Sequence, residues 1–325
     1  MKIIITGGAG FIGSHLAEFL VRKNHSVVII DNLSTGRFEN INSFKNKVKF
    51  VKADISKLGN WTNNFKNVKI VFHLAALADI VPSIKNPKKY FQSNVVGTEN
   101  IATVCANYKV KKIIYSASSS CYGIPNKYPT PESESIKPQY PYALTKNLGE
   151  QILIHYAKIY GVQAISMRLF NVYGTRSRTS GTYGAMFGVF LAQKLKNKPL
   201  TVVGDGNQKR DFTYISDVIQ AFYKAMKVKK KYEIFNVGTG KPVSVNNIVK
   251  LLGCKSINIP KRPGEPDQTN AKIKKIQNAL NWKPKISIEL GVKKLLKDIN
   301  YWDNAPVWTP KLIKVATKEW FKFLK

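Results

Sequence analysis

Short apolar runs alternate with segments of helical spacing over the first half of the chain. Lys2–Thr6, Ser26–Asp31, Val48–Asp54, Val68–Leu74, Lys111–Ser118 and Val162–Leu169 are rich in Ile, Val and Phe and are predicted as strands. Between them, Gly13–Arg22, Lys88–Asn107 and Tyr142–Tyr160 repeat their apolar residues at helical intervals. Strand and helix in alternation is the pattern of a parallel, doubly wound α/β sheet. An amphipathic helix near Ser216–Met226 and a further strand at Tyr232–Gly238 are expected to return to that sheet. From Thr175 onward, Pro, Gly and Lys become frequent and the elements shorten. The expected organisation is therefore two interleaved lobes: residues 1–174 with about 205–240, and a smaller C-terminal lobe from about 175–204 and 241–325. No internal repeat or low-complexity segment is evident.

Composition adds a size and a charge to this picture. The chain has 325 residues, 44% apolar and 11% aromatic, enough to bury a substantial core. Lys2 is followed by only three Ile residues, too short a run for a signal peptide or a membrane span. Cys105, Cys121 and Cys254 are widely spaced and show no metal-binding pattern, which predicts a reduced cytoplasmic protein with neither disulfide framework nor metal site. The formal charge of +33 would suit nucleic acid, anionic membrane or a phosphorylated substrate. However, the excess is almost all Lys, spread along the chain without a dense run, which reads as solvated faces. Arginine is scarce, and five of its seven positions (Arg168, Arg176, Arg178, Arg210, Arg262) fall after residue 165. Guanidinium suits bidentate phosphate binding, so those positions become candidates.

The first strand leads into Thr6-Gly7-Gly8-Ala9-Gly10-Phe11-Ile12-Gly13, which opens the first helix. Gly8, Gly10 and Gly13 satisfy G-x-G-x-x-G, and Gly7, Gly10 and Gly13 satisfy the variant G-x-x-G-x-x-G. Such glycines allow a tight turn and a close backbone approach to a pyrophosphate, which the helix N-terminus attracts. Asp31 ends the second strand 18 residues after Gly13, placed to accept adenosine ribose hydroxyls. Its charge would repel a 2′-phosphate, which favours NAD over NADP; the nearest arginine is Arg37.

Pro141-Tyr142-Ala143-Leu144-Thr145-Lys146 contains Tyr-x-x-x-Lys, whose i,i+4 spacing puts both side chains on one helix face. An ammonium beside the phenol is expected to lower its pKa from about 10 towards neutrality and make it a general base. The serines Ser118-Ser119-Ser120 end the preceding strand and offer a hydroxyl to hold a substrate oxygen. Turn serines and a surface Tyr/Lys pair would look the same in isolation.

These motifs together resemble the extended short-chain dehydrogenase/reductases. The match runs through Thr6–Gly13, Asp31-Asn32-Leu33-Ser34-Thr35-Gly36, His73-Leu74-Ala75-Ala76, Asn94, Ser118…Tyr122-Gly123 and Tyr142…Lys146. The later segments Arg168–Gly174, Gly204-Asp205-Gly206…Arg210-Asp211-Phe212 and Arg262-Pro263-Gly264-Glu265 are similar to those of nucleotide-sugar epimerases/dehydratases, most nearly the UDP-glucose 4-epimerase-like members. The resemblance implies a Rossmann fold with NAD held by Gly7, Gly10, Phe11, Ile12, Asp31, Asn32, Ser34, Thr35 and Gly36. It adds Asp54 and Ile55 near the adenine, and Leu74, Ala75, Ala76, Asn94, Ser116 and Phe170 along the cofactor. Ser118, Tyr142 and Lys146 become the catalytic trio, the latter two also touching NAD. Ser118, Ser119, Tyr142, Asn171, Arg210, Arg262 and Glu265 become the substrate contacts, beside backbone near Leu200 and Thr201, for a UDP- or dTDP-sugar. It also implies a homodimer.

Members that eliminate water or lose a carboxyl group carry an acid just after the catalytic hydroxyl; here Ser119 and Ser120 occupy those places. Cys121 is expected to pack. Thr269 stands where some galactose epimerases carry a bulky Tyr, which suggests room for an N-acetyl or carboxyl group. The function expected is a redox-neutral 4-epimerase working through a 4-keto sugar. A dehydratase, decarboxylase or reductase of the same family is the enzymatic alternative, and a non-catalytic basic binding protein the alternative of another class. The aromatic C-terminal run Trp302 to Phe323 is read either as an interface or as a helix packed on its own lobe.

Overall fold

The computed structural model describes residues 1–177 and 185–324, so Arg178 lies outside the described residues. The six N-terminal apolar runs form β1 (Lys2–Thr6), β2 (Ser26–Asp31), β3 (Val48–Lys52), β4 (Ile70–His73), β5 (Lys112–Ser118) and β6 (Gln163–Leu169). Four short strands follow, β7 (Asn171–Tyr173), β8 (Leu200–Val203), β9 (Lys209–Arg210) and β10 (Phe212–Tyr214), before β11 (Tyr232–Val237) returns to the main sheet. The chain then adds β12 (Val243–Ser244) and β13 (Ser256–Ile259). The main sheet is parallel throughout, in the order β11-β6-β5-β4-β1-β2-β3. The chain runs outward from β1 to β3 and then restarts on the other side of β1 with β4. Their divergence is the switch point where such sheets leave a crevice at the carboxyl ends of the strands.

Successive strand side chains point to opposite faces, and both faces are covered. Ile3, Ile5, Ile29 and Phe72 bury against α1 (Phe11–Arg22), whose Leu16 and Leu20 face the sheet. Ile4, Val28, Ile30, Val71 and Tyr115 bury on the other face. There they meet Ile101 and Leu153, carried by helices introduced below. The helices after α1 are α2 (Ile80–Lys85), α3 (Pro87–Phe91), α4 (Gly97–Asn107) and α5 (Pro141–Tyr160). These are followed by α6 (Met186–Leu195), α7 (Ile215–Ala225) and α8 (Val245–Leu252). The chain closes with α9 (Lys274–Leu280), α10 (Ile288–Lys297), α11 (Pro310–Ala316) and α12 (Lys318–Phe323).

Several expected elements shift at their ends or inside, three of them for a clear local reason. β3 stops at Lys52, because Asp54 turns away to accept the Ser56 amide and hydroxyl at 2.9 and 2.8 Å. The helix expected over Lys88–Asn107 is α3 and α4 joined by a π-helical turn, Gln92–Val96, which carries Asn94 inward. α5 begins at Pro141, which suits the first helical position because its missing N–H has no helical partner there anyway.

Outside the main sheet, the elements are short and paired at a distance. β8 pairs with β13, β9 with β12, and β7 with β10. Helix ends here follow local chemistry: Ser244 and Ser287 accept amides at the starts of α8 and α10, and Gly253 ends α8 in the left-handed conformation. Of the C-terminal aromatics, Trp302 and Trp320 pack on their own chain, while Phe321 and Phe323 are exposed. Trp302 and Trp320 are fully buried, and Trp320 donates its indole N–H to the Pro263 carbonyl at 2.8 Å. Among the described residues, no helix is long and apolar enough to cross a membrane.

Phe222 of α7 is fully buried and meets Phe72 of β4 edge to face, ring centroids 6.1 Å apart. Its replacement by Ala removes the ring and leaves a void between helix and sheet. Phe222→Ala is expected to lower unfolding free energy by about 3–5 kcal/mol in denaturant titration.

Candidate functional site

A cavity of about 640 Å³ lies along the carboxyl ends of the main-sheet strands. Its first wall is the turn after β1, built by close backbone approach. Gly7 has φ of 70°, and a Cβ on it would stand 2.6 Å from the Ala75 amide nitrogen. A Cβ on Gly13 would stand 2.1 Å from the Gly7 carbonyl oxygen. Gly7, Gly10, Phe11 and Ile12 line the cavity there. The first amides of α1 have no partner inside the helix and present donors and partial positive charge to this wall.

Asp31 stands at the end of β2, beside this turn. It accepts the amides of Ala9 and Leu33 at 3.0 and 2.8 Å, which tie its carboxylate to the glycine turn. Burial raises its pKa, opposed by those two amides. A Cβ on Gly36 would come within 2.8 Å of this carboxylate, so only glycine leaves it room. Asn32, Ser34, Thr35 and Gly36 line the same end, with Asp54 and Ile55 across from them. Leu74, Ala75 and Ala76 follow β4, Ser116 lies on β5, and Phe170 follows β6; all five line the cavity's length. This donor set fits a dinucleotide: glycines and free helix amides for a pyrophosphate, a carboxylate for ribose hydroxyls, and apolar side chains for the rings.

Three residues expected at the site do not reach the cavity. Asn94 is buried behind it, where its side chain exchanges two hydrogen bonds with the Leu77 backbone and donates to Thr145 at 3.0 Å. It braces the wall from within. Leu200 and Thr201 are buried in β8, and Thr201 is held by Gln193 of α6. Neither side chain lines the cavity.

Ser118, Ser119, Tyr142 and Lys146 do come together in the middle of the cavity. Ser118 ends β5, and its hydroxyl meets that of Ser120 at 2.8 Å. Tyr142 and Lys146 share one face of α5. Gly149, one turn further on, lets the helix settle onto Tyr115, since a Cβ there would stand 2.5 Å from the Tyr115 hydroxyl. The Lys146 ammonium then lies over the Tyr115 ring, 4.2 Å from its centroid. Burial lowers Lys146 to about 7, with Glu150 opposing. Burial also raises Tyr142, with a hydrogen bond from Ser118 opposing. The expected acidified phenol is therefore not a property of the protein groups alone. Desolvation dominates, and Lys146 is drawn to the Tyr115 face.

The scarce arginines divide by role. Arg168 forms a buried two-point ion pair with Glu150, at 3.0 and 2.6 Å, and donates to the Tyr122 hydroxyl at 2.9 Å. It is structural, and lies beneath the helix that carries Lys146. Arg176 pairs with Glu18 of α1 and also lines the cavity. Arg210 and Arg262 both pair with Glu265, at 3.4 and 3.0 Å, and all three line the far end. Asn171 lies there too, its side-chain oxygen accepting the Thr269 hydroxyl at 2.8 Å. Cys121 packs with Tyr122, Phe170 and Ala271, and burial pushes its thiol up to about 12.

Sequence reasoning missed Tyr140, Asp79 and Trp320, which also line the cavity. Tyr140 stacks in parallel on Tyr142, centroids 6.5 Å apart and planes 5° apart. The Tyr-Pro-Tyr string was its only local signal. Asp79 precedes α2 and acts on Tyr142 through its charge. Trp320 arrives from the far end of the chain and has no local signal at all.

Comparison with known proteins gives the family. The profile of the NAD dependent epimerase/dehydratase family matches residues 3–238. The UDP-glucuronate 4-epimerase of Thermodesulfobacterium geofontis is 34% identical over 96% of this chain and 99% of its own. Among solved structures, the UDP-glucose 4-epimerase of Thermotoga maritima with UDP-glucose superposes with a TM-score of 0.87 at 33% identity, over 94% of this chain and 99% of its own. The UDP-glucuronic acid 4-epimerase of Bacillus cereus, in complex with UDP-glucuronic acid and NAD, has a TM-score of 0.85 at 32% identity, over 92% and 99%. A glycine turn at the switch point, a Ser/Tyr/Lys group at mid-cavity and a family match over most of the chain converge: this protein belongs to the NAD dependent epimerase/dehydratase family.

Proposed function

We propose that this protein is an NAD-dependent nucleotide-sugar 4-epimerase acting on a UDP-sugar, with dTDP-sugars as the neighbouring class. The observation that carries the reading is one cavity with a dinucleotide turn at one end, Tyr142 with Ser118 in the middle and two arginines at the other. NAD, when bound, supplies reversible hydride acceptance at the sugar carbon and, in its oxidised form, a positive charge. The residues Gly7 to Ile12, Asp31 to Gly36, Asp54 and Leu74 to Ala76 would hold it.

The chain's own groups handle the proton. Ser118 holds the sugar 4-oxygen, and Tyr142 removes its proton as C4 becomes a carbonyl. After the 4-keto sugar turns about its diphosphate link, Tyr142 returns the proton and C4 is restored with inverted configuration. A positive charge nearby favours phenolate, so Tyr142 becomes a competent base only once the site is loaded. Arg210, Arg262 and Asn171 hold the nucleoside diphosphate, whose binding is indifferent to which sugar face points inward. Ser119 and Ser120 offer no carboxyl proton, which disfavours elimination. Thr269 leaves space compatible with glucose, N-acetylhexosamine or uronate substrates.

We further place the protein in the cytoplasm, where three free thiols are stable, and assign it a homodimer. Phe91 of α3 and Leu144 of α5 are exposed apolar residues on neighbouring helices and suit such a contact. Sedimentation is expected to report twice the chain mass, reduced to one chain in Phe91→Glu.

Incubation with UDP-glucose, UDP-N-acetylglucosamine and UDP-glucuronate is expected to yield a C4-inverted sugar from at least one, with no net NADH absorbance. Accumulating NADH, or loss of water or carbon dioxide, would instead indicate a reductase, dehydratase or decarboxylase. Tyr142→Phe is expected to slow turnover by roughly 10²–10⁴ while leaving the fold intact; turnover at the wild-type rate would overturn the assignment. Lys146 gives a stability signature with a definite sign. Between about 7 and its unfolded value of about 10.4, the unfolded chain keeps a proton that the folded chain has released. Rising pH therefore favours the fold. Wild-type protein should gain stability relative to Lys146→Met between pH 7 and pH 9.5, as measured by denaturant titration at both.

A further inference from the structure

The residues that bind and react with the sugar are joined by a side chain from outside the matched family region. Trp320, on α12, lines the cavity although it lies 82 residues beyond the end of that region at residue 238. Three of its contacts bear on the site. The Arg262 guanidinium lies over its ring, 5.4 Å from the centroid. Tyr140 packs on it at 6.1 Å, and Tyr140 in turn stacks on Tyr142. Its indole N–H holds the Pro263 carbonyl at 2.8 Å, immediately before Gly264, whose φ is +72°. That bond pins the turn carrying both Arg262 and Glu265.

We propose, resting on the nucleotide-sugar reading above, that Trp320 is a positioning residue for the substrate: it holds Arg262 ready for the diphosphate and, through Tyr140, sets the attitude of Tyr142. Two physical reasons support it. A guanidinium held over an indole by its charge can still donate N–H bonds to an anion, as Arg262 does to Glu265 at 3.0 Å. A long side chain already fixed in place loses less freedom when the ligand arrives, so the same contacts yield tighter binding. The indole is fully buried, and α12 packs on α2. The C-terminal helix thereby becomes part of the substrate site.

The test compares wild type, Trp320→Leu, Trp320→Phe, Arg262→Lys and the Trp320→Leu/Arg262→Lys double variant. UDP affinity is measured by calorimetry, and KM and kcat by epimerisation. Bound NAD and the unfolding midpoint serve as structural readouts. Trp320→Leu is expected to weaken UDP binding and raise KM about 10-fold or more. Bound NAD should be unchanged and kcat reduced less than KM is raised. Trp320→Phe, which keeps an aromatic face, should stay within about 3-fold of wild type. Because Trp320 acts through Arg262, the double variant should bind UDP no more weakly than Arg262→Lys alone. If the Leu variant does not fold, Trp320→Met runs the same cycle. Unchanged UDP affinity, independent multiplication of the two losses, or NAD and kcat falling in step with stability would each overturn the proposal. Wild-type protein that binds no UDP would sink the nucleotide-sugar reading itself, whereas UDP binding that ignores Trp320 sinks only this inference.

Discussion

Everything in this structure is arranged around backbone brought against backbone at the turn after β1. A Cβ on Gly13 would stand 2.1 Å from the Gly7 carbonyl, and one on Gly7 would stand 2.6 Å from the Ala75 amide. No side chain fits either gap, so the turn presses the start of α1 onto the sheet between β1 and β4. That contact opens the crevice at the switch point and aims the free helix amides into it. The amide of Ala9 in the same turn reaches the carboxylate of Asp31, so the pyrophosphate wall and the ribose acceptor are set by one short piece of chain.

Desolvation is the second constraint, and it acts oppositely on the two reactive side chains. Burial penalises the charged form of each group, raising Tyr142 and lowering Lys146 to about 7. Protein groups alone leave Tyr142 protonated and Lys146 only partly charged near neutral pH. An oxidised, cationic cofactor in the cavity would shift that balance towards phenolate. The buried Arg168–Glu150 pair holds the carboxylate of Glu150, one turn beyond Lys146 on α5, where its charge opposes the deprotonation of Lys146.

Much of the fold was legible because its signals are local. Six apolar runs became six strands of one parallel sheet, and the return of Tyr232–Val237 to the sheet edge followed from the same periodicity. The short strands outside the main sheet were not legible. They are two to four residues long and pair across gaps of more than 30 residues, as β9 does with β12 and β8 with β13. Nothing in so short a run distinguishes it from a loop. Among the arginines, scarcity marked five positions, but only contacts separated Arg168, locked to Glu150, from Arg210 and Arg262 at the cavity.

The sequence by itself determined the glycine turn, the Asp31 carboxylate and the Tyr142/Lys146 spacing. Each is a requirement of a single turn, strand end or helix face, written in adjacent residues. Tertiary structure alone decided that Lys146 leans on Tyr115, that Asn94, Leu200 and Thr201 stay behind the cavity wall, and that Trp320 joins Arg262 to Tyr140. Those outcomes depend on burial and on contacts between residues far apart along the chain, and a local pattern carries no information about which distant surface will cover it.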